Sequence, residues 1–195
     1  MMSTQVHKLN VGCGRNIIEG WKNLDQVALE GVDIVTDIDQ CQTTPIPMED
    51  ESVDEFLLSH VIEHVNNPLP LMQELYRIAT PNAVALIRTP YGSSDDAFED
   101  PTHVRQYFHG SFGYFSQPFY WRADYGYRAD WQVETIQLIV REREQRGLSP
   151  EQILNNVRTL RNQVVEMVAQ LKVIKPMREP LAELQQGPKI EFVMS

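Results

Sequence analysis

Gly12-Cys13-Gly14 closes a short apolar run, Lys8 to Val11, with two glycines around one small residue. Such a turn bends sharply and brings the backbone close to a ligand, because glycine tolerates positive φ. By itself it supports no more than a tight turn. A pyrophosphate-binding fingerprint would place a third glycine at position 17, where Ile17 stands. Asp25 and Asp37 follow at the ends of the next two runs. A carboxylate at the second strand end can accept two hydrogen bonds from ribose hydroxyls, and one at the third can accept from an adenine amine. Proton transfer near neutral pH calls for histidine. His60 directly follows a fourth run and so falls at the same end as Gly12, while His103 sits between Asp100 and Arg105. His103 ranks first and His60 second as a general base, although loop-shaping through hydrogen bonds accounts for His103 equally well. His64 reads as a histidine bonded to nearby backbone, and His109 lies among aromatics.

The elements that must position these groups alternate. Strands are expected over Lys8 to Val11, Trp21 to Leu24, Val32 to Thr36, Val53 to Leu58 and Ala83 to Ile87. Phe56-Leu57-Leu58 is continuously apolar, as a strand covered on both faces should be. Asn66-Asn67-Pro68 breaks the chain. Pro70 to Ala79 reads as a helix with Leu71, Leu75 and Ile78 on one side. Alternation of this kind predicts a mostly parallel α/β sheet, with ligands at the carboxyl ends of its strands.

The 195 residues suffice for one domain with its own core, and a 42% hydrophobic content excludes wholesale disorder. No apolar run is long enough for a membrane span, and Met1 to Lys8 has no apolar leader core. Cys13 and Cys41 form no repeated metal-ligand pattern, so no metal is expected and a reducing cytoplasm is the natural setting. The net charge of -10 opposes phosphate backbones and disfavours nucleic acid as a partner.

Beyond position 106 the character changes. Residues 107 to 131 are rich in aromatics, which form either a satellite core or an acceptor pocket; Arg105, Tyr107, Phe108, Tyr120 and Trp121 are the candidates to face a substrate. Trp131 to Val140 and Ile190 to Met194 read as strands, the latter closing the sheet. Ser149 caps a helix with Pro150 at its first position. From there Ile153, Val157, Leu160, Val164, Val168 and Leu171 recur at heptad-like steps, predicting one long helix ended by Pro176. That makes 142–186 a helical insertion between the last two strands of a single domain spanning 1–195. The stripe is narrow enough to predict a homodimer through 149–184.

Leu9-Asn10-Val11-Gly12-Cys13-Gly14, Asp25, Asp37 and Ser59-His60-Val61-Ile62-Glu63-His64 together resemble the class I S-adenosylmethionine-dependent methyltransferases, closest to the methyltransferase-11-like small-molecule branch. The likeness covers about 8 to 140, and Glu99 to Arg105 is similar to a substrate-side loop of that branch. It implies a Rossmann-like, mostly parallel sheet with an antiparallel terminal strand, and S-adenosylmethionine as cofactor. Gly12, Cys13 and Gly14 would pass the methionine part, Asp25 would hold the ribose, Asp37 and Ile38 would meet adenine, and Ser59 and His60 would lie beside the methionine end. One departure stands out: Asp25 follows Gly14 by 11 positions, where about twenty are usual. The first helix must therefore be short or replaced by a loop over Arg15 to Gly20.

Methyl transfer to oxygen or nitrogen of a small molecule follows, in saccharide or natural-product biosynthesis among other settings. The alternative is a non-catalytic cofactor-binding subunit that supports a partner protein. A base-methylating nucleic-acid enzyme is disfavoured, because Ser59-His60-Val61-Ile62 lacks the Asn/Asp-Pro-Pro-aromatic motif.

Overall fold

The computed structural model describes residues 7–195. The leader reading of the opening residues falls on Met1 to Val6 and lies outside the described part, as regards those six. Strand β1 (Lys8–Val11) pairs in parallel with both β2 (Lys22–Asp25) and β4 (Val53–Ser59), and β2 pairs with the two-residue β3 (Ile34–Val35). Helix α1 (Pro68–Ile78) leads to β5 (Ala79–Pro90), parallel to β4. The helix begins two residues before its expected start because the fixed φ of Pro68 suits a first helical position. After the short α2 (Asp96–Glu99) the aromatic segment forms 3-10 turns, then β6 (Trp131–Val140), α3 (Glu142–Gln145), α4 (Pro150–Thr159), β7 (Val164–Val173) and β8 (Lys189–Met194) complete the chain. The eight strands lie in the order β3-β2-β1-β4-β5-β7-β6-β8.

The long helix expected from Ser149 does not form. Its start does: Ser149 Oγ accepts from Gln152 N, and the Gln152 side chain accepts from Ser149 N, so two orphan amide donors are satisfied reciprocally. The helix stops at Thr159, and Asn162 adopts φ 57. The following ten residues are strand. Met167, Ala169, Leu171 and Val173 point inward while Val168, Gln170 and Lys172 are half-buried between them. Steps of three and four over Val164, Met167 and Leu171 mimic a heptad, but β-branched residues and the period-two alternation favour a pleated strand. The 142–186 segment is thus two short α-helices, a strand and a 3-10 turn (Ala182–Leu184) rather than a helical insertion. Ile153, Val157, Val164 and Leu171 are all buried in the chain's own core, so the seam on which a homodimer was expected is not formed. The antiparallel strand is also this one: β7 runs against β5 and β6, whereas the last strand, β8, is parallel to β6.

The sheet is covered on one side. Leu58, Ile87, Ala169 and Ile136 form one registered inward row, and Ala85, Leu171 and Val133 part of the next. Leu71, Met72, Leu75 and Ile78 of α1, Phe112 and Phe115 of the aromatic segment, and Ile153 and Val157 of α4 join them in one core. The opposite rows, such as Leu57–Leu86–Gln170–Thr135, are half-buried or exposed. Full coverage of β4 is therefore corrected: Phe56 and Leu58 are buried, but Leu57 between them is not, and its β5 neighbour Leu86 is 38% exposed.

The reason lies in the connections of the first three strands. Between β1 and β2 runs a loop, as the short spacing predicts, and it is held by polar side chains. Asn10 Nδ2 donates to Asn16 O and Asn23 Oδ1, Ile18 N donates to Asn23 Oδ1, and Asn23 Nδ2 donates to Ile18 O. Asn10 and Asn23 are both buried by it.

Candidate functional site

The carboxyl ends of β1, β2, β3 and β4 surround a cavity of about 190 Å³ lined by Gly12, Leu24, Asp25, Gln26, Thr36, Asp37, Ile38, Asp39, His60, Val61, His64 and Val65. Gly12 has φ 64, and an added Cβ would come within 2.6 Å of Val61 Cγ2, so only glycine fits this wall. Gly14, at φ 52, donates its N–H to Asp25 Oδ2 at 2.8 Å, while Val27 N donates to Asp25 Oδ1 at 2.9 Å. These bonds fix the carboxylate and leave each oxygen a further lone pair toward the cavity. Asp37 Oδ1 accepts from Asp39 N and starts a 3-10 turn with Ile38; Asp39 in turn receives N and Nδ2 of Asn66.

His60 closes the other side. It sits at φ 56, an uncommon conformation for a residue with Cβ, and its N donates to Arg88 O across the sheet. Nε2 lies 2.8 Å from Glu166 Oε1 of β7, and Arg88 Nη2 donates to Glu166 Oε2 at 2.6 Å. Glu63 Oε1 is 3.4 Å from Nδ1. This approach acts electrostatically although its alignment is poor for a hydrogen bond. Glu63 is the largest cause holding the His60 pKa above its ordinary value; burial opposes it and Glu166 adds to it.

The remaining sequence-derived residues divide. Cys13, Gly14 and Ser59 do not line the cavity: Cys13 is buried, its N donating to Leu24 O, with burial pushing the thiol pKa up, Gly14 reaches it only through Asp25, and Ser59 lies beside Arg88 in the sheet. Arg105, Tyr107 and Tyr120 converge on a second cavity of about 410 Å³, with Ser111, Tyr114, Phe115 and Tyr125. Tyr107 O–H donates to Ile62 O and Tyr120 O–H to Tyr114 O. Burial raises both phenols, that of Tyr120 to about 12. Phe108 and Trp121 stand apart from this cavity: Phe108 lies edge-on against Tyr91, and Trp121 lies under the Arg122 guanidinium. The two cavities flank one segment, His64 and Val65 lining the first, Asn67 and Pro68 the second.

His103 does not line the first cavity. Its ring lies behind His64, the centroids 4.8 Å apart. Sequence reasoning did not single out Glu63, Thr36, Asp39 or Glu166. Asp39 had a signal in its place two residues beyond Asp37. Glu166 had none, since only the β7 register brings it there.

Residues 9–87 match the family model described as "Methyltransferase domain". A comparison with curated proteins gives no match. Among solved structures, the chain is similar to a SAM-dependent methyltransferase from Archaeoglobus fulgidus, with a TM-score of 0.58, 14% identity, and 87% and 86% of the two chains covered. It is also similar to a possible histamine N-methyltransferase from Thermotoga maritima, with a TM-score of 0.56, 12% identity, and 88% and 84% covered. The [4+2]-cyclase SpnF shares the fold at a TM-score of 0.54 and 10% identity, covering 89% of this chain and 76% of its own. Fold alone therefore does not fix the reaction. Residues 9–87 thus match a methyltransferase-domain family, and the fold shared with these structures extends over most of the chain.

Proposed function

We propose that this chain transfers a methyl group from S-adenosylmethionine to oxygen or nitrogen of a small-molecule acceptor. The observation that supports the reading is the convergence of Gly12, Asp25, Asp37, Ile38 and His60 on one cavity at the strand ends. The residues fit the cofactor: Gly12 has no room for a Cβ, and Asp25 is held rigidly with lone pairs to spare. When bound, S-adenosylmethionine supplies an electrophilic methyl on a sulfonium.

Asp25 would accept both ribose hydroxyls, and Asp37 the adenine amine. The carboxylates beside His60 favour its imidazolium, which suits it to pair with the methionine carboxylate rather than to accept a proton. The aromatic walls of the second cavity, with the Arg105 guanidinium, suit a planar or sugar-like acceptor of the kind assembled in saccharide or natural-product biosynthesis. Alignment and exclusion of water would supply most of the acceleration.

Calorimetry with S-adenosylhomocysteine tests the reading. Wild-type chain is expected to bind it, and Asp25→Ala to lose about 1.5 to 3 kcal/mol of binding free energy, because a charge-assisted acceptor is removed. Unchanged affinity would refute the assignment, as would tighter binding of a nicotinamide dinucleotide.

A further inference from the structure

Behind the cofactor-side cavity, Glu63, His64 and His103 bring one ligand atom each to within 4.8 Å of one another. Glu63 and His64 belong to the 3-10 turn Ile62–His64 that follows β4, and His103 to the loop after α2. Backbone bonds clamp the two segments together, with Val104 N and Arg105 N both donating to Glu63 O.

Glu63 is 2% exposed, and neither carboxylate oxygen has a hydrogen-bond partner among the described residues. His60 Nδ1, 3.4 Å from Oε1, is its charged neighbour, but a buried carboxylate with no aligned hydrogen bond remains costly. A cation would relieve that cost.

The Nδ1 atom of each imidazole has an oxygen partner. Thr102 Oγ1 donates its proton to Asp100 Oδ1 at 2.6 Å, so toward His64 Nδ1, 3.0 Å away, it can only accept. Thr102 O is 3.3 Å from the same Nδ1. His103 Nδ1 faces Ala97 O at 3.4 Å. Carbonyls accept and never donate, so Nδ1 carries the proton in both neutral rings, and the lone pair sits on Nε2. An oxygen acceptor on the far ring nitrogen is the arrangement that orients metal-binding histidines. Asp100 Oδ2, 4.0 Å from His103 Nε2, is too distant for a hydrogen bond and adds negative charge.

We propose that Glu63, His64 and His103 form a binding site for a divalent transition-metal ion. Two imidazoles and one carboxylate suit Zn²⁺, Mn²⁺, Fe²⁺ or Co²⁺ better than Ca²⁺ or Mg²⁺, and leave coordination positions open. His64 also lines the cofactor-side cavity, so the ion lies at that cavity's wall. There it can hold an oxygen of the acceptor; this use rests on the function proposed above, whereas the binding itself does not.

Untagged full-length chain, stripped with a chelator and titrated with Co²⁺ alone, tests the site. One equivalent is expected to bind, with visible ligand-field absorption from nitrogen and oxygen donors and a raised Tm. Glu63→Gln and His103→Ala should each weaken Co²⁺ by at least about tenfold, since even outer-shell partners of metal ligands are worth that much. His103→Ala should still bind S-adenosylhomocysteine, which reads the proposed function separately, and circular dichroism checks the folding of Glu63→Gln, whose carboxylate also acts on His60. If Glu63→Gln does not fold, His103→Ala decides alone. No uptake of Co²⁺ at millimolar concentration, or uptake undiminished in the folded variants, overturns the proposal.

Discussion

The two faces of the sheet are built from the same strands and solve different problems. On the covered face, Leu58, Ile87, Ala169 and Ile136 meet helices and aromatics in one apolar core. On the other face, Leu57, Leu86, Val168 and Gln137 are half-buried or exposed, and at the cofactor end a loop sits on Asn10 and Asn23 through hydrogen bonds. Parallel strands are ordinarily covered on both sides. Replacing the first crossover helix by a polar-anchored loop shortens the route from Gly14 to Asp25 and leaves their direct hydrogen bond intact. The chain thus retains the ligand-facing edge of the fold with much less helical cover.

The largest test of this contrast is Asp130→Ala. Asp130 is fully buried and ties the aromatic cover to β6 by accepting from Arg178 Nε and Nη2, Arg178 N, Gln117 N and Ser116 Oγ. Removing it strands the Arg178 charge and should cost about 3 to 5 kcal/mol in urea unfolding. Ile87→Ala, on the covered face, should cost about 2 to 5 kcal/mol by leaving a cavity. A smaller effect should follow from His109, whose Nδ1 lies 2.8 Å from Tyr91 Oη under the same cover. Burial, and then Arg158, hold its pKa below the ordinary value. Its neutral form therefore contributes stability above about pH 6.5, and that contribution is lost as the pH falls through the lower folded value. His109→Gln should flatten the acid side of a Tm-against-pH curve; an unchanged slope would remove His109 from the account. Smallest of all, Leu86→Gln on the open face should change stability by less than about 1 kcal/mol. A loss as large as that of Ile87→Ala would show that the two faces are not different.

What could be read from the sequence follows the range of each signal. Gly12, Asp25 and Asp37 mark strand ends through local chemistry, and α1 is marked by its apolar side and flanking prolines, so the walls of the first cavity were legible residue by residue. Strand β7 was not, because Val164, Met167 and Leu171 satisfy a helical spacing and a pleated one at once. Only the neighbours β5 and β6, set by long-range pairing, decide between them. The open face was hidden for a similar reason: Phe56-Leu57-Leu58 is uniformly apolar, and nothing local says which of its sides lacks a cover. Among the aromatics, Phe112 and Phe115 went to the core while Tyr114, Trp121 and Tyr125 stayed exposed, a division that composition does not contain.

The place of β7 between β5 and β6 also bears on how the chain is made. Every residue lining the first cavity is in the chain once Val65 is synthesised, and the family match ends at residue 87. When β5 emerges in its turn it presents a bare edge, and bare edges pair readily with whatever strand comes near. The strand that covers it, Val164 to Val173, emerges after β6, and then enters between β5 and the strand made before it. It brings Glu166, which fixes His60. A nascent chain therefore carries a complete set of cavity walls well before it carries a closed sheet. For the same reason a fragment cut at the end of the family match would expose the β5 edge permanently, so the smallest unit able to stay unaggregated extends through β7.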